Sequence, residues 1–129
     1  MKEVFDQINS LIGVKYKSEP PFSVEEGFNC FSCVSYIWEL FANKKYVLPS
    51  DFSNLRLLRD NFIKLPPNII PKPLDIPIFF NGTISTRHVG IMQDERMMIH
   101  ASRETNGVAR TDITKSPWRC TIQAIYRHK

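Results

Sequence analysis

Three side chains in this sequence have the types that nucleophilic chemistry needs: Cys30, His88 and His100. Cys30 follows Gly27-Phe28-Asn29 and opens the apolar run Cys30-Phe31-Ser32-Cys33-Val34-Ser35-Tyr36-Ile37-Trp38. Asn29 is a good N-cap, because its side-chain oxygen can accept an amide proton that the first helical turn leaves unpaired. Cys30 then becomes the first helical residue. There the helix-start dipole and free amides favour thiolate, which predicts a thiol pKa below the roughly 8.5 of free cysteine. Cys33, Val34, Ile37 and Phe41 recur at spacings that share one helix face, so that face is expected to be buried and to fix the sulfur.

His88 and His100 stand twelve positions apart on two runs of strand character, Arg87-His88-Val89-Gly90-Ile91-Met92 and Met97-Met98-Ile99-His100-Ala101. If Gln93-Asp94-Glu95 is a three-residue hairpin loop, facing residues have numbers that sum to 188, and His88 faces His100. Their Cβ atoms would then lie roughly 5 Å apart on one side of the sheet. A thiol, an imidazole to take its proton and a second polar group to orient that imidazole make up the apparatus of cysteine catalysis. Other readings of the same residues stay open. Cys30-Phe31-Ser32-Cys33 has the spacing of a redox or metal motif, and Cys30, Cys33, His88 and His100 have the number and type of a zinc ligand set. Cysteines at an apolar helix start are also often plain core residues.

The elements that must position these groups follow from the rest of the chain. At 129 residues the length suits one domain, read here as spanning 1–129. Hydrophobic residues at 43% and charged residues at 23% are those of a folded globular chain rather than a disordered one. The net charge of +4 is spread without a basic stripe, so no nucleic-acid partner is expected. Three cysteines cannot all pair within one chain, which leaves at least one free thiol. Residues 1–10 lack an apolar signal core and no run is long enough to cross a bilayer, so synthesis in the cytoplasm is expected.

Val4, Phe5, Ile8, Leu11 and Ile12 predict a short helix ending at Gly13, and Pro20-Pro21 places a loop before the Cys30 helix. Leu55, Leu57, Leu58, Phe62 and Ile63 read as a third helix, and the stretch from Leu65 to Pro77, with its five prolines, as an extended segment. Short β-rich runs follow from Ile76 to Tyr126, with Cys120 inside one as a core residue and His128 frayed at the end. Helices first and strands after predict an α+β domain, its N-terminal helices packed on an antiparallel sheet of about five strands.

The runs Ile12-Gly13-Val14-Lys15-Tyr16, Gly27-Phe28-Asn29-Cys30, Leu74-Asp75-Ile76-Pro77-Ile78-Phe79-Phe80, Arg87-His88-Val89-Gly90-Ile91-Met92 and Met98-Ile99-His100-Ala101-Ser102, in that order and spacing, resemble the NlpC family of cell-wall cysteine peptidases. Gly107-Val108 and the stretch from Trp118-Arg119 to Ala124-Ile125-Tyr126-Arg127 are most similar to tail-associated phage members. The resemblance implies a papain-like fold with Cys30 as nucleophile, His88 as base and His100 as the orienting group. It implies cleavage of peptidoglycan stem peptides, commonly between D-glutamate and a diamino acid, through an acyl-enzyme and with no metal or other cofactor. Tyr16 matches a family tyrosine that lines the site, and Phe31 and Ser32 fall where the pocket beside the nucleophile would be. Phe31 replaces a small residue there and is expected to narrow that pocket; Lys17-Ser18-Glu19 replaces a tryptophan-glycine-glycine run. A phage tail or a secretion system is the implied delivery partner. A non-catalytic wall-binding or phage-tail module on the same fold is the alternative that these changes motivate.

Overall fold

The computed structural model describes residues 2–42, 62–80 and 87–129. Two helices come first, α1 (Lys2–Ser10) and α2 (Cys30–Ala42). Ile8 and Leu11 bury the inner side of the first helical segment. Cys33, Val34 and Ile37 are fully buried on α2, with Trp38 beside them, so the predicted helical face is the one that meets the core. Phe41 lies in α2.

Among the described residues seven strands form two antiparallel sheets, not the single sheet of about five that the pattern predicts. The first sheet has the order β1 (Phe62–Leu65), β7 (Ile122–His128), β2 (Ile76–Phe80), β3 (Arg87–Val89). The second has the order β4 (Ile91–Met92), β5 (Met97–Ser102), β6 (Gly107–Asp112). A short helix, α3 (Trp118–Thr121), precedes β7. Helix α2 packs across β5 and β3, one strand from each sheet. The fold is mixed α and β, and its sheets are antiparallel throughout the described residues.

The run Arg87–Met92 reads as one strand but is divided at Gly90. β3 pairs with β2, Phe79 facing His88, whereas β4 pairs with β5. Gly90 is where the chain leaves one sheet for the other, and its bare Cα is pressed onto β5. A Cβ there would lie 2.6 Å from Met98 Sδ, 3.3 Å from the Ile99 carbonyl oxygen and 3.4 Å from His100 Cβ.

The third predicted helix is corrected where it can be seen. Positions 55–58 lie outside the described residues, but Phe62 and Ile63 belong to β1. Phe62 is 2% exposed and Ile63 48%, the alternation of a strand. Cys120 is exposed on α3 rather than buried in a strand. His128 is not frayed: it pairs with Phe62, and its ring lies 5.1 Å from that of Trp38.

The proline-rich segment is held down by one carboxylate. Asp75, 2% exposed, accepts Arg127 Nε at 3.0 Å, Arg127 Nη2 at 2.8 Å and the Lys72 amide at 2.8 Å. The clamp joins the entry of β2 to the end of β7. Truncating Asp75 leaves a guanidinium and an amide without their acceptor. Asp75→Ala is therefore expected to cost about 2–4 kcal/mol in urea unfolding, less than a fully buried pair because Arg127 is partly solvated.

Candidate active site

The Cys30 helix starts as its sequence demands. Asn29 Oδ1 accepts the Ser32 amide at 2.8 Å, and Ser32 Oγ accepts the Asn29 amide at 2.9 Å, a reciprocal cap of the first turn. Ser32, read from the sequence as a substrate contact, thus has its hydroxyl committed to the helix start. Gly27 sets the approach. Its φ of +117° is left-handed, and a Cβ would come within 2.6 Å of the Lys15 carbonyl. Only glycine lets the loop lie so close to residues 15–17, where Tyr16 bridges Phe28. Tyr16 is half-buried and carries the Arg103 guanidinium 5.6 Å above its ring centre. Phe31 is half-buried against the main core cluster.

Cys30 is 9% exposed, and its sulfur sits against the backbone amides of Val89, Phe31 and Cys30 itself. Val89 is the residue after His88, so the sulfur is seated beside the strand that carries the imidazole. The electrostatics correct one expectation. Burial pushes the Cys30 thiol up to about 11, and the amides that favour thiolate do not overcome it. Complete burial and the neighbouring Cys30 drive Cys33 up to about 12.

The two histidines meet, by a different route from the one the numbering predicts. Ile91 faces Ile99 and Met92 faces Met98, so facing numbers sum to 190 rather than 188. The turn is Asp94-Glu95-Arg96, one residue later than expected, because Asp94 Oδ1 accepts the amides of Arg96 and Met97 at 2.8 and 2.7 Å. Extending that register puts Gly90 opposite His100 and leaves His88 as a diagonal neighbour on the same side. With no side chain at 90, the rings close the gap: His88 Nε2 and His100 Nδ1 are 2.8 Å apart, with ring planes at 85°. His100 Nε2 lies 2.8 Å from Thr111 Oγ1.

Trp118 completes the surroundings. Its ring centre is 5.4 Å from that of His88, 5.1 Å from His100 and 5.1 Å from Phe79. This apolar cover has an electrostatic result. Burial, then repulsion from His100, holds His88 down to about 3; burial holds His100 down to about 4. Both rings are neutral at pH 7. Thr111 and Trp118 carry no signal in the cysteine and histidine motifs; only the tertiary arrangement shows them.

Of the zinc set, the facing nitrogens of the two histidines bond each other. Among the described residues no three of His, Cys, Asp and Glu gather where they could hold a metal ion. A recess of about 790 Å³ lies elsewhere, lined by Ile70, Lys72, Asp94, Arg96 and Asp112 among others and by none of the site residues.

With this geometry in view, comparison with known proteins defines the class. A model described as the NlpC/P60 family matches residues 20–127. The chain belongs to the NlpC/P60 family, whose members are in general cysteine peptidases or amidases. Among solved structures, a lipoprotein-like NLP/P60 protein of Staphylococcus aureus aligns with a TM-score of 0.69 at 15% identity, over 97% of this chain and 40% of that one. NlpC1 of Trichomonas vaginalis aligns with a TM-score of 0.69 at 19% identity, over 97% and 42%. The endolysin LysIME-EF1 gives 0.60 at 14%, over 98% and 63%. At such identities the likeness speaks for the fold, and the chain spans less than half the length of the first two. No curated protein matches it in sequence.

Two outcomes follow from the charges. Alkylation of Cys30 by iodoacetamide should climb about tenfold per pH unit above 7 without a plateau before pH 9; a plateau below 7 would mean a preformed thiolate. For the histidines the folded pKa values are depressed, so the unfolded chain binds protons first as pH falls. The stability they contribute is complete above 6.5 and is lost as pH falls toward 4 and 3. Urea midpoints should fall across that window, and less so in His100→Gln.

Proposed function

We propose that the chain is a cysteine hydrolase that cleaves peptide bonds in the stem peptides of bacterial peptidoglycan. The observation that carries this reading is the bonded pair His88 Nε2···His100 Nδ1 at 2.8 Å, beside Val89, whose backbone amide favours the Cys30 thiolate. In this reading Cys30 attacks the scissile carbonyl while His88 Nδ1, the ring nitrogen that His100 does not engage, takes the thiol proton. His100 keeps the His88 ring in place and steadies it when it becomes imidazolium. The carbonyl oxygen turns to oxyanion against the Cys30 amide at the helix start, with Tyr16 beside it. His88 then returns the proton to the leaving amine, and water resolves the acyl-enzyme. Because thiol and imidazoles are all neutral at rest, proton transfer accompanies attack instead of preceding it.

The bond between D-glutamate and a diamino acid is the expected target, through the family resemblance. Phe31 stands beside the nucleophile and is the feature that supports a second reading, a non-catalytic wall-binding or phage-tail module. A phage tail or a secretion system is the delivery partner that fits either reading.

Mass spectrometry of products released from purified sacculi tests the proposal. Cys30→Ala should release none. His88→Ala should lower kcat by about 10³–10⁴-fold, and His100→Ala by roughly 10–10²-fold, since an orienting group costs less than the nucleophile. Intact sacculi after incubation with wild-type protein would leave the binding module as the better account.

A further inference from the structure

His100 is wholly buried, and its two ring nitrogens have one side-chain partner each, His88 on Nδ1 and Thr111 on Nε2. β6 pairs with β5 so that Ala109 faces His100 and Thr111 faces Met98. Thr111 is therefore two residues along the strand from the partner of His100. It shares that face of the sheet and reaches the ring on the diagonal. The three groups form a line, and a line of two neutral imidazoles ending in a hydroxyl has two polarities.

In one polarity His88 carries its proton on Nε2 and donates to a bare His100 Nδ1, while His100 Nε2–H donates to Thr111 Oγ1. His88 Nδ1 is then a free lone pair, able to take a proton from sulfur. In the other, Thr111 O–H donates to His100 Nε2, His100 Nδ1–H donates to His88 Nε2, and His88 Nδ1 already holds its proton. Only the first polarity gives a base. We propose that Thr111 is a positioning residue: its hydroxyl oxygen, by accepting from His100 Nε2–H, keeps His100 Nδ1 bare and so holds His88 in the tautomer that can deprotonate Cys30. The inference rests on the catalytic reading above but can be judged separately from it.

Replacing the hydroxyl with a methyl group leaves His100 Nε2 alone in a buried site. An orphaned N–H is less tolerated there than an orphaned lone pair. The proton moves to Nδ1, the line reverses, and His88 is blocked. No atom of Thr111 touches the reacting bond in this account, so its loss should appear in kcat and leave KM nearly alone.

Thr111→Val and Thr111→Ser are to be compared with the wild type by two readouts. Long-range ¹H–¹⁵N spectra of the histidine rings report which nitrogen carries each proton. Expected are Nε2–H on both His88 and His100 in the wild type and in Thr111→Ser, and Nδ1–H on His100 in Thr111→Val. Hydrolysis of muropeptides should show kcat about 10–100-fold lower in Thr111→Val, KM within about twofold and recovery in Thr111→Ser. Nδ1–H on His100 in the wild type, or a folded Thr111→Val with unchanged tautomers and kcat within about twofold of wild type, would overturn the role of Thr111. If the valine variant does not fold, the tautomers of wild type and Thr111→Ser decide. If the wild type cleaves no muropeptide, it is the catalytic reading that falls, and the ring spectra still decide this one.

Discussion

The hydrogen bond between His88 and His100 is the constraint on which the site is built. Two imidazoles can sit 2.8 Å apart only if at most one is charged, and in a dry place both stay neutral. The fold supplies the dryness. Trp118 packs on both rings, Phe79 is the cross-strand neighbour of His88, and His100 itself is fully buried. The same burial that neutralises the rings also neutralises the thiol. Burial thus works against a resting thiolate–imidazolium pair.

Holding two rings at that distance is a problem of chain routing. β3 and β5 belong to different sheets, and the chain must pass from one sheet to the other two residues after His88. Gly90 makes the passage: it faces His100 without a side chain, and Met98 and the Ile99 carbonyl fill the space a Cβ would need. The sulfur is placed by the start of α2. The reciprocal Asn29–Ser32 cap fixes the first turn of α2, and three fully buried residues on the next two turns fix its rotation.

The distribution of polar partners explains why the scaffold tolerates such a site. Among the described residues no buried side-chain polar atom is left without a hydrogen bond. Asp75 is saturated by Arg127 and Lys72, and His100 by His88 and Thr111. The Arg127 bonds span 52 positions and the His88 and Thr111 bonds join β5 to its neighbours β3 and β6, so these polar contacts reinforce the topology that the apolar clusters define.

Much of this was legible in the residues alone. The Asn29 cap, the buried face of α2, the order of helices before strands and the common side of His88 and His100 are local or periodic properties, and a chain carries those in its own spacing. The histidine face survived even an error of register, because a shift of two residues in pairing sum preserves parity. What needed the tertiary structure was everything set by burial or by contacts distant in sequence. The break at Gly90, the strand at Phe62, the placement of Trp118 and Thr111 against the histidines and the raised thiol pKa all belong here. A helix start pulls a thiol toward ionisation by a local field that can be read from Asn29-Cys30. The desolvation that outweighs it depends on how much of the rest of the chain is folded around the sulfur, and no stretch of sequence contains that quantity.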